Sequence, residues 1–363
     1  MAIERNAARP AVPVPPPPVP ARRSSGQGRR RSAPETLVPD PALEPLVARL
    51  GSANAEDRWR AAQALASVGR AAVPTLLLAL QHSDPYVRRH TAEVLGRVGG
   101  DEATEALIIR LGDPSATVRE RAAEALSALA RPEARYALQI VLVADTVVTV
   151  RALAAEALGR IKGKSSVVPL VAGTRDASPC VRWSVAAALA NTQSRRAVRP
   201  LIELLSDPDE GVRCAAANAL ARLGSRRAAE PLAAAMRDPD RNVRWHAVDA
   251  LSVLHGPQVV QIFFSALDDD DPGVRWRAAS ALGATARGYP AVVDGLIGLL
   301  GDTDANVRAH AAEALGKLRD PRALPRLRDL QKDSEQTRFL GKVSDVAWVA
   351  AHKLERAVRR QRA

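Results

Sequence analysis

Residues 302–316 read DTDANVRAHAAEALG, and this stretch decides the fold because it is one copy of many. A Val-Arg pair, followed by Ala-rich positions and a Leu, recurs at Val87-Arg88, Val118-Arg119, Val150-Arg151, Val181-Arg182, Val212-Arg213, Val243-Arg244, Val274-Arg275 and Val307-Arg308. Arg58 shares the register, and successive arginines lie 30, 31, 32, 31, 31, 31, 31 and 33 residues apart. A degenerate copy runs from Val346 to Leu354, with Ala347 where the Arg would stand. Self-similarity at such a period marks an array of supersecondary units.

Each unit reads as two helices. The first starts at Asn54, Asp84, Ser115, Ser178, Asp209, Asp240, Asp271 or Asp304, four residues before its Arg, and only Val147 lacks a side chain able to accept an orphan N–H. Pro85, Pro179 and Pro272 follow at the position where proline costs nothing. In the unit of Arg182 the residues Val181, Val185, Ala186 and Leu189 share one helical face, which Thr192 weakens at its end. Gly69, Gly99 and Gly224 are placed to close their helices. A second helix follows, as in Ala197 to Leu205. A pair this small cannot bury its own apolar face, so neighbours must stack into a solenoid.

The pattern Asp-x4-Val-Arg-x-x-Ala-Ala-x-Ala-Leu-Gly of residues 302–316 resembles the short HEAT repeats of the phycobilin-lyase type, and the likeness covers residues 41 to about 357. The expectation is therefore an all-α chain: a right-handed α-solenoid of about ten two-helix HEAT-like repeats over 41–357. A disordered Pro/Arg-rich tail over 1–40 precedes it and a basic end over 358–363 follows. The family includes bilin lyases, a hydroxylase and many adaptors, so the repeat type specifies the fold and leaves the function open.

Composition bounds the alternatives. The chain has 363 residues, 47% hydrophobic but only 3% aromatic, so small and aliphatic side chains must fill the core. Cys180 and Cys214 are too few for a disulfide framework or a four-cysteine metal site, and they suit a reducing compartment such as the cytoplasm. No apolar run is long enough to predict a membrane span. Of the net charge of +12, residues 1–40 carry +4 (seven Arg, three acids) and residues 317–363 carry +7 (thirteen Lys/Arg, six acids), leaving the body near neutral. A nucleic-acid binder that used its whole surface would spread that excess along the body. Within the tail, PVPPPPVP over 13–20 followed by Arg22 forms a PxxPxR pattern suited to an aromatic groove, while an Arg-rich, acid-poor leader also fits a transit segment.

The repeated arginines have two readings, a phosphate-binding row or a structural ladder. Asp113, Asp145, Asp176, Asp207, Asp238, Asp269 and Asp302 stand six residues before Arg119, Arg151, Arg182, Arg213, Arg244, Arg275 and Arg308. The resemblance implies that these Asp and Arg residues bond adjacent units to one another by charge-assisted hydrogen bonds. The run Asp268 to Asp271 lacks the spaced carboxylates and glycine of a calcium loop, so a structural use is expected. His90, His246 and His310 share one register in separate units, and none begins a His-Glu pair of the kind on which deoxyhypusine hydroxylase, of similar repeat type, depends. No catalytic set, metal site or cofactor is expected.

Two surfaces remain. All five tryptophans, Trp59, Trp183, Trp245, Trp276 and Trp348, occupy the residue after the Arg position, roughly 145° from the centre of the apolar face. Rings there either pack on a neighbouring unit or anchor a partner, and Trp245 and Trp276 lie in adjacent units. The resemblance also implies that second helices line the concave side. Counting back four residues from each ladder Asp position gives an outward row of Leu78, Ile109, Val141, Ala172, Glu203, Ala234, Ser265 and Gly298. It has no Lys or Arg and is apolar or small in its first four members, which fits a protein segment or apolar ligand. The leading expectation is a non-catalytic scaffold or adaptor for a protein or peptide. A bilin lyase or related cofactor-attachment factor, suggested by repeat type, stays open, as does nucleic-acid binding through Lys353, Arg356, Arg359, Arg360 and Arg362.

Overall fold

The computed structural model describes residues 38–362 apart from Lys162 and His255, with the side chains of Lys164 and of residues 360–362 left aside. The expected Pro/Arg-rich tail, with its PxxPxR pattern, falls outside the described residues up to position 37. The solenoid begins at Asp40, whose carboxylate caps the 3-10 turn Pro41–Leu43 and whose N–H donates to Thr75 Oγ1 at 2.9 Å.

The described residues form an all-α solenoid in two compact units divided after Ala197. The first contains α1 (Glu44–Arg49), α2 (Ala55–Val68), α3 (Val73–Ala79), α4 (Pro85–Val98), α5 (Asp101–Arg110), α6 (Ala116–Leu129), α7 (Arg135–Ala144), α8 (Val148–Ile161), α9 (Val167–Gly173) and α10 (Pro179–Asn191). The second contains α11 (Val198–Glu203), α12 (Glu210–Leu223), α13 (Ala229–Ala235), α14 (Arg241–Ser252), α15 (Pro257–Ser265), α16 (Pro272–Thr285), α17 (Pro290–Gly298), α18 (Ala305–Leu318), α19 (Leu324–Leu330) and α20 (Val343–Arg362). Even numbers are first helices of a repeat and odd numbers second helices. The apolar stretch Ala55–Ala79 is long enough to span a bilayer, but it is α2 and α3 broken at Gly69, not one continuous helix.

Capping explains where the first helices start. The side chains of Asn54, Asp84, Asp209, Asp240, Asp271 and Asp304 accept N–H groups of their own first turns. Ser115 and Ser178 occupy the cap position without a side-chain cap bond. The upstream aspartates Asp113 and Asp176 accept the N–H of these serines at Oδ1 at 2.9 Å, as Asp207 and Asp302 do in repeats whose cap side chain also bonds. Gly69, Gly99 and Gly224 close α2, α4 and α12 at positive φ. Thr192, where the stripe was expected to weaken, is buried, with Oγ1 donating to the Leu189 carbonyl at 2.7 Å.

Within each unit first helix packs on first helix: α4 on α6, α6 on α8, α8 on α10, and then α16 on α18 and α18 on α20. Alanine and leucine make that seam, with Val181, Val185, Ala186 and Leu189 all buried. The glycine that ends the repeat signature permits the close approach. A methyl group on Gly283 would stand 2.6 Å from Ala314 Cα, and one on Gly96 equally close to Ala125 Cβ. The glycine is therefore a contact residue between repeats. Finally, α20 runs on to Arg362, so the segment expected to begin a separate basic end at 358 continues the last helix.

Candidate functional site

Arginines of the repeat signature join successive inter-repeat turns. Arg119 donates from Nε and Nη2 to both oxygens of Asp145 at 2.7 and 3.0 Å, and from Nη1 to the carbonyl of Asp113 at 3.0 Å. Each guanidinium thus holds the carboxylate of the following turn and the backbone of its own. The same fork joins Arg88 to Asp113, Arg151 to Asp176, Arg213 to Asp238 and Arg275 to Asp302. Each of these aspartates also accepts the N–H two residues on, as at Asp145 to Val147 and Asp302 to Asp304. Arg182 donates to the carbonyls of Asp176 and Ala177, and the Asp207 carboxylate accepts from the Asp209 N–H. Arg308 divides its fork between Asp333 and Glu335. With every donor face turned inward, these forks have little to offer a phosphate row.

The carboxylates respond to this setting. The Arg151 bond, with help from the Ser178 N–H, outweighs burial and holds Asp176 below the ordinary aspartate value. At Asp113 and Asp302 burial pulls upward most strongly, but the guanidinium and backbone bonds together overcome it and both lie low.

Arg58 and Arg244 lack the fork. Arg58 meets the backbone of Ser52 and Ala53, since His82 stands where later turns have aspartate. Arg244 reaches Asp269 only at 3.8 Å and Asp271 at 3.4 Å, leaving its buried Nε without a hydrogen bond. Beside it, Trp245 Nε1 donates to Asp271 Oδ1 at 3.0 Å.

Trp245 and Trp276 are half-buried against following repeats. The Arg277 guanidinium lies 4.6 Å from the Trp245 ring centre and 4.2 Å from that of Trp276. Trp276 stacks on His310 with centroids 4.5 Å apart. Burial pushes the His310 imidazole down, and neither ring nitrogen has a hydrogen-bond partner. Gly273 makes room for Trp245: a methyl group there would meet the indole nitrogen and stand 2.7 Å from Asp271 Oδ1. Arg277 shares the register of Arg60 and Arg121, and Gly273 that of Gly211, so what emerges only from the packing is their contact with Trp245. Trp59, Trp183 and Trp348 occupy the same register and are exposed.

The second-helix row divides between units. Leu78 and Ile109 are 56% and 47% exposed, whereas Val141 is 8% exposed and belongs to the core. The correction follows from the 32-residue spacing between Arg119 and Arg151. In that repeat the N–H of Asp145 bonds four residues back to Val141, while Asp113 bonds three back to Arg110. The extra residue is absorbed in the last turn, so counting back from Asp145 lands one position late. Counting forward from Arg119 gives Ile140, half-buried, with exposed Tyr136 and Val143 one turn before and after it. Ala172 is exposed with Val168 one turn earlier. In the other unit Glu203, Ala234, Ser265 and Gly298 are exposed, and among the described residues no second helix there exposes a large apolar side chain.

Other chemistry is sparse. Among the described residues no three His, Cys, Asp or Glu side chains gather as metal ligands, and the Asp268–Asp271 run is used at Asp269 and Asp271 for turn and cap bonds. Cys180 is exposed and free; burial raises the thiol of free Cys214 to about 11, away from reactivity. A shallow groove of about 400 Å³ opens on the first-helix side around Ala152, where Glu120, Arg121 and Glu156 interleave. Arg121 pairs with Glu124 and Glu156 with Arg160, and Glu120 accepts from the Thr149 hydroxyl.

The pattern described as HEAT repeats matches residues 43–127, 104–178, 167–252, 230–297 and 260–339. No curated protein matches the sequence. Among solved structures, Kap95p in its complex with RanGDP is similar at 16% identity and TM-score 0.58, over 88% of this chain and 52% of that one, so the chain spans about half of Kap95p. An engineered protein is similar at 24% identity and TM-score 0.47, covering 86% of this chain and 98% of that one. The complex of CpcE and CpcF of phycocyanin lyase from Nostoc sp. PCC7120 is similar at 26% identity and TM-score 0.38, covering 65% and 97%.

Proposed function

The chain belongs to the HEAT-repeat family, and from that premise we propose that it is a non-catalytic scaffold that binds a protein segment along the second helices of its first unit. One observation carries the reading. The second helices α3, α5, α7 and α9 each expose a large apolar side chain, namely Leu78, Ile109, Tyr136 with Val143, and Val168. Single exposed apolar residues are ordinary. Their recurrence on four successive second helices of one unit supports a continuous surface that a partner would cover. Leu78, Ile109, Ile140 and Ala172 include no Lys or Arg, the reverse of what a phosphate backbone requires. Kap95p, which shares the fold, binds the protein RanGDP, so such a solenoid can serve as a protein-binding frame.

The test is Leu78→Glu combined with Ile109→Glu in the full chain. Both side chains are exposed, so each change should alter stability by no more than about 0.5 kcal/mol. Native capture after nuclease treatment should yield a stoichiometric protein with the wild-type chain and lose it with the double variant, at an unchanged thermal transition. Capture retained by the double variant would overturn the reading.

A further inference from the structure

The recess between α18 and α20, in the second unit, combines two chemistries at one side chain. Its basic end, about 200 Å³, is lined by Arg319, Lys353, Arg356 and Ala357. Its other end, about 230 Å³, is floored by Leu340, Val346, Val349 and Ala350, with Glu313 and Asp345 at the margin. Lys353 lines both.

Cations nearby are spoken for. Arg322 pairs with Asp294 and Asp320, Arg328 with Glu355, and Lys317 with Glu313. Arg319, Lys353 and Arg356 have no carboxylate within ion-pair distance among the described residues. Arg319 is held there by the left-handed end of α18 at φ 60, and the other two extend one exposed stripe of α20 that begins at Trp348 and Val349. Three like charges converging on one recess repel each other unless an anion lies among them.

We propose that this recess docks a peptide segment of a protein partner in which an Asp or Glu stands next to an aliphatic residue. The acid lies against Arg319, Lys353 and Arg356, and the aliphatic side chain covers Leu340, Val346 and Val349. Because Lys353 lines both ends, adjacent residues of one extended segment reach both. A nucleic-acid strand gains nothing from the apolar end: its next phosphates in that direction would run over apolar side chains toward Asp345, where like charge repels them. The site is separate from the second-helix face and does not rest on it.

The test selects a random twelve-residue peptide library displayed on phage against the full chain and against Lys353→Glu/Arg356→Glu. Both positions are exposed, and a matching thermal transition shows that the variant folds. The expected result is enrichment of Asp or Glu beside Leu, Ile or Val with the wild-type chain and loss of that enrichment with the variant. Val349→Ser should abolish the aliphatic preference and keep the acidic one. No enrichment, or the same enrichment on both chains, would overturn the proposal. So would an outcome in which only a fluorescent oligothymidine binds the wild-type chain and is lost on charge reversal.

Discussion

Arg213 shows what one rung contributes. Its fork spends Nε and Nη2 on Asp238 and Nη1 on the carbonyls of Asp207 and Pro208, with both charged side chains largely buried. Arg213→Ala leaves Asp238 desolvated and unpaired, which should cost about 3 kcal/mol in urea unfolding. Arg213→Lys should recover only part, since an ammonium has no fork. An unchanged unfolding midpoint would return the arginine to the surface. The same logic applies to Gly273, where alanine collides with Trp245 and should cost about 1–3 kcal/mol. If the ring is the obstacle, Trp245→Ala combined with Gly273→Ala should be less destabilising than the sum of the two single changes. The Arg and Asp positions were legible because their spacing repeats. The contacts of Gly273 and Arg277 with Trp245 were not, because they depend on one indole in the preceding repeat.

Helices carry the next level of the argument. A polar cap, a following proline and a closing glycine are local signals, so the starts and stops of most first helices can be read directly. Where the signal came from a distance, it slipped. Val141 was placed outward by counting from an aspartate, but the inserted residue of the 32-residue repeat keeps α7 helical to its end and brings Ile140 outward instead. Ser115 and Ser178 sit at cap positions, yet neither side chain bonds the first turn of its helix. The repeat glycine, read as part of a signature, proves to be a contact with the next first helix. Gly283→Ala would press a methyl group on Ala314 backbone and should separate α16 from α18 at a cost of about 1–3 kcal/mol, measured by thermal unfolding. Ala314→Gly in the same chain should restore less than it would at a side-chain clash, because the nearest atom is Cα.

At the scale of the whole molecule the ladder gives a pH dependence. Asp113, Asp176 and Asp302 have folded values below the ordinary aspartate value, so their contribution is present above about pH 4 and lost as pH falls through the folded values. The thermal transition should hold steady from neutrality to about pH 4 and drop below it, and Arg151→Ala should show a smaller drop because Asp176 is then no longer held low. The repeat period made the all-α solenoid legible almost throughout, yet repeats display architecture far more plainly than ligands. Among the described residues, large apolar side chains are exposed on the second helices of the first unit and not on those of the second, a contrast that depends on particular residues such as Tyr136 and Val168. Hydroxyl-radical footprinting of the full chain, free and bound to its captured protein, tests that surface most directly. The account predicts that Leu78, Ile109 and Tyr136 lose oxidation on binding while Trp59 and Trp183 keep it; protection of Trp59 and Trp183, with Leu78, Ile109 and Tyr136 unchanged, would contradict it.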